Sequence, residues 1–388
     1  MTSSADKLGD IAAEAGISRV VMLAWRDLDD PEAGGSEVHA GRVAVRWAEA
    51  GIDVTMRTSA VAGRPTKVER DGYRVVRRAG RYAVFPSTAA SAVFRRRSRD
   101  ALVEIWNGMP FFSPVWTRGP RSVWLHHVHG QMWRMVMHPA VLGRAGELLE
   151  RRVAPPFYRR TPIVTLSESS RQELVDVLGF SAAHVTVVPP GIDSRFTPGG
   201  TRSAVPLVVA VGRLVPVKHF DLLVDVLARL RQRHPDLRAV IAGEGYQRPV
   251  LEAARTRHRA EEWLSLPGRV EDEELVSLYR SAWVVASASS HEGWGMTITE
   301  AGACATPAVV TRIAGHADAV ADGTTGLLVD GAAGLEAGLG RVISDAGLRR
   351  RLGAAALVRA SELTWDATAA GTLTVLAADA IRRRRTGD

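Results

Sequence analysis

A single cysteine, Cys304, among 388 residues excludes any disulfide framework within the chain. It stands in the apolar run Ala-Gly-Ala-Cys-Ala of residues 301–305 and reads as a small core residue rather than a reactive thiol. No apolar run approaches the roughly 18 residues that a membrane span needs, and the first residues, Met-Thr-Ser-Ser-Ala-Asp-Lys, lack the apolar segment of a signal peptide. The expectation is a cytoplasmic protein. The Gly-x-Gly-x-x-Gly fingerprint of nicotinamide-binding folds is also missing. What remains is a globular composition, 46% hydrophobic and 24% charged, at a length that exceeds what one core usually supports. Two domains are expected.

Charge is uneven. Residues 1–200 hold 27 Lys and Arg against 20 Asp and Glu, whereas residues 201–388 hold 23 against 22. The basic clusters are Arg77-Arg78, Arg95-Arg96-Arg97, Arg151-Arg152 and Arg159-Arg160, with Arg382 to Arg385 in the tail. They read either as ordinary solvated faces of an Arg-rich chain or as a surface for an anionic membrane or an acidic, lipid-linked acceptor. No nucleic-acid motif accompanies them, so nucleic acid is not an expected partner.

Strand-like runs alternate with helical ones along the chain. Residues 19–25 form a buried strand, Gly34-Gly35-Ser36-Glu37 opens a helix, and residues 52–57 form the next strand, a β-α-β unit with glycines at its turn. Further strands are expected at residues 73–77, 101–106, 122–129, 162–166 and 185–188, and a helix capped at Ser167 follows the fourth of these. Turn residues from Phe196 to Pro206 mark a boundary. Alternation then resumes with a strand at 207–211, a helix at 220–233 and a strand at 238–242. The fold class is α/β, with two Rossmann-like parallel-sheet domains facing a cleft where ligands bind at the strands' C-terminal ends. The expected domains are residues 1–195 and 196–365, the last helix, about 366–388, crossing back onto the first.

The chain is organised around Ser287-Ala-Ser-Ser-His-Glu292-Gly293-Trp294-Gly295-Met296-Thr297-Ile-Thr-Glu300-Ala301. A strand leads through a glycine turn into a helix, whose first N–H groups lack intrahelical partners and can receive a phosphate. Seven residues separate Glu292 from Glu300, roughly 12 Å if helical. That is too far for the close carboxylate pair of a retaining glycosidase, about 5 Å apart. A second cationic motif, Gly212-Arg213-Leu-Val-Pro-Val-Lys218-His219, sits between a strand and a helix and can bring both cations to one diphosphate.

These motifs resemble the Glu-x7-Glu and Gly-Arg-x4-Lys-Gly signatures of retaining GT-B glycosyltransferases, family 4 in particular, with His219 in place of the usual Gly. The resemblance spans roughly residues 20–370. It implies an enzyme that moves a sugar from a UDP- or GDP-linked donor to an acceptor hydroxyl, with the anomeric configuration kept, by front-face attack. It also implies that Glu292, the amides of Gly293, Trp294, Gly295, Met296 and Thr297, Arg213 and Lys218 serve the donor sugar and diphosphate. Glu300 would accept from the ribose, and the turn at Val270 would meet the base through its backbone. Gly34 and Gly35 resemble the loop that faces the donor phosphates. His126, or else His129, matches the family's sugar-contacting histidine.

Metal binding by His126, His127 and His129 is disfavoured, because alternation on a strand would send His127 to the opposite face and no fourth ligand follows. Asp27-Leu-Asp29 has the form of the Asp-x-Asp metal motif of another glycosyltransferase fold, but no flanking strand pair supports it. No metal and no cofactor are therefore expected, the sugar nucleotide being the donor substrate. The acceptor, a lipid-linked compound, a glycan or a small molecule, stays open, with residues 107–112 and the Arg clusters as its candidate surface. Pro190 stands where the family's Asn-Gly-Val-Asp turn has Asn, so that match rests on Gly191 and Asp193. An epimerase or phosphorylase of the same architecture, or a silent sugar-nucleotide-binding protein, is the alternative.

Overall fold

The computed structural model describes residues 3–93, 101–130, 132–133 and 140–387. The Arg95-Arg96-Arg97 cluster lies outside them. The chain divides into two compact units, one of residues 1–191 with 365–388 and one of residues 192–364.

The first unit holds an eight-stranded sheet: β1 (Arg19–Leu23), β2 (Asp53–Thr58), β3 (Lys67–Arg70), β4 (Tyr73–Arg77), β5 (Ala101–Ile105), β6 (Arg121–Trp124), β7 (Ile163–Thr165) and β8 (Val185–Val187), in the order β3-β4-β2-β1-β5-β6-β7-β8. All pairs are parallel except β3 with β4. Every residue of β5, β6 and β7 is buried, as strands covered on both faces must be. The chain's last helix, Trp365–Thr386, packs into the core of this unit through Ala369, Leu373 and Leu376. Its Ala369 carbonyl accepts from Trp47 Nε1 at 3.0 Å, and Asp379 accepts from the Arg121 amide at 2.9 Å.

The second unit holds six parallel strands: β9 (Leu207–Val211), β10 (Arg238–Ala242), β11 (Leu264–Gly268), β12 (Val284–Ser287), β13 (Ala308–Thr311) and β14 (Gly326–Val329), in the order β11-β10-β9-β12-β13-β14. Helix Phe220–Arg233 presents Leu223, Val224, Val226, Leu227 and Leu230 to this sheet at the three- and four-residue spacing of one helix face. Since all six strands run the same way, the loops that follow them gather along one edge. That edge carries the motifs of residues 212–219 and 287–301.

Several expectations are corrected. The histidine segment is not strand: pairing with β5 ends at Trp124, opposite Ile105, so alternation does not place His126, His127 and His129. His127 instead stacks on His129 with ring centroids 4.7 Å apart. The loop at 107–112 is turned inward. Phe111 is buried against Phe85, and the Glu104 carboxylate accepts from the amides of Phe111 (2.7 Å) and Ser113 (3.1 Å), which draws the loop over β5. Arg77, read as part of a surface cluster, is buried at the end of β4, 2.5 Å from Asp27 and paired also with Asp29. Those two aspartates thus serve an ion-pair network with Arg70 and Arg77.

Candidate functional site

In the second unit, the segment after β9 runs from Gly212 through the short helical turn Pro216–Lys218 to His219, which caps helix Phe220–Arg233. This turn directs Lys218 to Glu292: Nζ lies 2.5 Å from Oε1. Ser289 Oγ donates to the same oxygen at 2.7 Å. The loops after β9 and β12 are also tied through backbone, the Ser290 amide donating to the Val217 carbonyl at 2.9 Å. Arg213, on the same segment, is exposed and makes no side-chain hydrogen bond or ion pair among the described residues. It is a cation left available for a ligand, whereas Lys218 is already engaged.

Burial works to raise the Glu292 carboxyl, but the Lys218 charge, the neighbouring His316 and the bonds from Lys218 and Ser289 outweigh it and hold the group below its ordinary value. Glu292 is therefore ionised at neutral pH. Gly295 follows with φ of 99°, a left-handed conformation that L side chains adopt at a cost, and it starts helix Met296–Ala303. A Cβ there would come within 2.8 Å of Ile298 Cδ1. The indole N–H of buried Trp294 finds no protein acceptor in this turn.

The loop after β13 closes the far side. At Gly315 a Cβ would lie 2.2 Å from the Glu292 carbonyl oxygen, so only glycine permits the approach. The next residue, His316, is fully buried, and its Nδ1 sits 2.8 Å from the Thr311 carbonyl. A carbonyl only accepts, so Nδ1 carries the proton. Burial lowers the His316 pKa further than Glu292 raises it. Ser289 and His316 were not found by sequence reasoning; the glycine beside His316, Gly315, was the signal for the latter.

Glu300 lies on helix Met296–Ala303, beyond the first turn, and Tyr279 Oη donates to its Oε2 at 3.3 Å. Burial, little offset by Tyr279 and reinforced by Asp272 and Asp193, moves its carboxyl up to about 7. Val270 follows β11 on the same sheet edge. The structure thus joins Lys218 directly to Glu292, sets Gly293 to Thr297 next to them, and places Glu300 one turn along the helix.

Gly34, Gly35 and His126 belong to the first unit. Gly34 precedes helix Gly35–Glu49, and its amide donates to Glu37 Oε2 at 2.8 Å. His126, in the loop after β6, meets His39 of that helix edge-on, with ring centroids 4.9 Å apart. The His126 side chain is buried, its Nε2 has no partner among the described residues, and burial with the nearby His129 lowers its pKa to about 4, so it is neutral at pH 7. His129 is occupied: Nε2 lies 3.1 Å from Asn107 Oδ1, and Nδ1 lies 3.3 Å from Glu150.

Two α/β units, each with a glycine turn and a helix start along the C-terminal edge of its strands, have the GT-B fold class. Residues 33–196 match the family described as Glycosyltransferase Family 4, and residues 195–359 match Glycosyl transferases group 1. The D-inositol 3-phosphate glycosyltransferase of Acidothermus cellulolyticus is 31% identical over 97% of this chain and 94% of its own length. That of Nocardia farcinica is 30% identical over 88% and 84%. This chain therefore belongs to the group 1 glycosyl transferases of family 4. Among solved structures, a sucrose-phosphate synthase from Thermosynechococcus elongatus has a TM-score of 0.79 at 18% identity, covering 96% of this chain and 100% of that one. HepE of Anabaena, in complex with UDP-glucose, has a TM-score of 0.71 at 17% identity over 92% and 98%.

Proposed function

We propose that the protein transfers a sugar from a UDP-linked donor to an acceptor hydroxyl with retention of anomeric configuration and without a metal ion. The observation that carries this reading is the Lys218–Glu292 pair beside the left-handed Gly295 turn, with Arg213 unpaired on the adjoining loop. Anions are favoured at such a helix start, and two cations beside it can take the charge that builds on a departing diphosphate. UDP is preferred over GDP because the HepE structures hold UDP and UDP-glucose. An inositol phosphate is the first acceptor to assay, since the relatives bear that name.

In the step proposed, the bond between the anomeric carbon and the diphosphate oxygen breaks as the acceptor oxygen bonds to the same face of that carbon. The acceptor proton passes to the leaving phosphate oxygen. Arg213, Lys218 and the amides from Gly293 to Thr297 stabilise the leaving group, and Glu292 holds the sugar hydroxyls. The neutral His126 offers a hydrogen bond to the sugar, Gly34 and Gly35 face the phosphates, Glu300 takes the ribose, and the backbone at Val270 takes the base. The test is incubation with UDP-sugars and inositol phosphate in EDTA, with product configuration read by NMR. Retained configuration and UDP release support the reading. Inverted product, strict metal dependence, donor conversion without acceptor, or a requirement for free phosphate would each reject it.

A further inference from the structure

The arginine clusters of the first unit do not share one fate. Arg77 is buried on Asp27, and Arg382 and Arg383 are both held by Asp379 at 2.6 Å. The segment from Val141 to Arg160 differs. It folds as helix Ala140–Leu148, a wide turn at Leu149–Val153 and a short helix Pro155–Tyr158. Its exposed large apolar side chains are Val141, Leu142, Leu148, Val153 and Phe157, between 45% and 65% accessible.

At 100° per residue, Val141, Leu142, Ala145 and Leu148 form one outward stripe of the first helix, with Arg144 along its flank. Arg144, Arg152, Arg159 and Arg160 are exposed and make no ion pair among the described residues. Both carboxylates of the segment are taken: Glu147 is paired with Arg151, and Glu150 is buried, accepting from the His129 and Gly130 amides and from Trp133. The segment therefore offers exposed apolar side chains interspersed along the chain with unpaired cations, and neither of its own carboxylates is free.

We infer that this face docks on an anionic lipid bilayer, with Val141, Leu142, Leu148 and Phe157 entering the headgroup boundary and Arg144, Arg152, Arg159 and Arg160 meeting the lipid phosphates. An apolar stripe flanked by arginines suits a helix lying in the plane of a membrane surface, where each basic side chain adds to the attraction. No helix among the described residues is long and apolar enough to cross a membrane, so attachment here is at the surface.

The test is flotation of the full chain with vesicles of phosphatidylcholine containing roughly one-third phosphatidylglycerol, against vesicles of phosphatidylcholine alone. Affinity at least about tenfold higher for the anionic vesicles is expected, weakening as salt is raised. Replacing Arg144, Arg152, Arg159 and Arg160 with Gln should abolish that preference, and Val141→Ser with Leu148→Ser should reduce binding several-fold. Thermal unfolding superimposable on that of the parent chain shows that the variants are folded. Equal partition to both vesicles, no binding to either, or an arginine variant that floats like the parent chain would overturn the inference.

Discussion

Lys218 donates to Glu292, so before any ligand arrives the lysine already has an anionic partner. A diphosphate must then compete with Glu292 for that cation. Glu292→Gln should tighten UDP several-fold while lowering kcat about a hundredfold, because the free lysine attracts phosphate more strongly and the sugar loses its carboxylate partner. Lys218→Ala should weaken UDP and lower kcat together. Calorimetry beside steady-state kinetics reads both, and a Glu292→Gln chain that loses UDP affinity would mean the carboxylate only props the loop.

Glu300 gives a pH test at the same scale. Its carboxyl titrates near 7 in the folded chain, against an ordinary 4.5, because burial disfavours the charge. The folded state thus keeps a proton that the unfolded chain releases between about pH 4.5 and 7, and this group's contribution to stability falls as pH rises through that window. Ribose hydroxyls donate to the ionised form, so nucleotide affinity should move the other way, rising up to about tenfold per pH unit below 7 and levelling above it. Glu300→Gln should flatten the profile, leaving only the titration of the nucleotide's own phosphate. An unchanged profile would separate Glu300 from the ribose.

At the scale of elements, the loop after β9 contains a residue out of place. His219 occupies the left-handed region, φ 46°, at the head of helix Phe220–Arg233, where the family pattern has glycine. A side chain there costs roughly 1–2 kcal/mol, part of which is returned by its lower entropy when unfolded. His219→Gly should therefore raise the melting temperature slightly and leave Lys218 in place; a fall would show that the imidazole's contacts outweigh the strain. Strands β1, β7, β9 and β12 were legible because parallel strands covered on both faces read as nearly unbroken apolar runs, whereas β11, β13 and β14 were not read as strands. Strand β3, Lys-Val-Glu-Arg at the sheet edge, has no such signature and was missed.

The inward turn of Phe111 was illegible for a related reason: it depends on Glu104, a charged residue inside an apolar strand whose carboxylate takes backbone amides of the following loop, which leave no side-chain signature. For the candidate site, Glu292, Lys218 and the glycine turn could be singled out from their motifs and the family resemblance those motifs carry. His316 and Ser289 could not, because their placement follows from how loops after different strands interlock.

At the scale of the whole chain, the two units are unequally contiguous. The second is one uninterrupted stretch, residues 192–364, with its own core beneath β9 to β14, and it holds the residues proposed for the donor from Arg213 to Glu300. Phe196, in the turn-rich stretch that composition marks as a linker, already packs on Tyr279 of that core, with ring centroids 5.8 Å apart. The first unit needs both chain ends: Trp365–Thr386 supplies Leu373 and Leu376 to its core, and Arg384 donates to the Glu14 carbonyl at 2.6 Å.

A chain of residues 192–364 should consequently fold alone and keep a UDP-dependent rise in melting temperature. The complementary chain 1–191 should not fold, because it loses two fully buried leucines, each worth about 2–5 kcal/mol, together with the acceptors for Trp47 and the Arg121 amide. Joining residues 365–388 to the start of 1–191 through a flexible linker long enough to run the length of helix Ser4–Glu14 should restore a cooperative transition, since Arg384 already reaches the last residue of that helix. A chain 1–191 that melts cooperatively by itself would show that the last helix is an accessory to this core. A chain 192–364 that folds but ignores UDP would place essential donor contacts in the first unit.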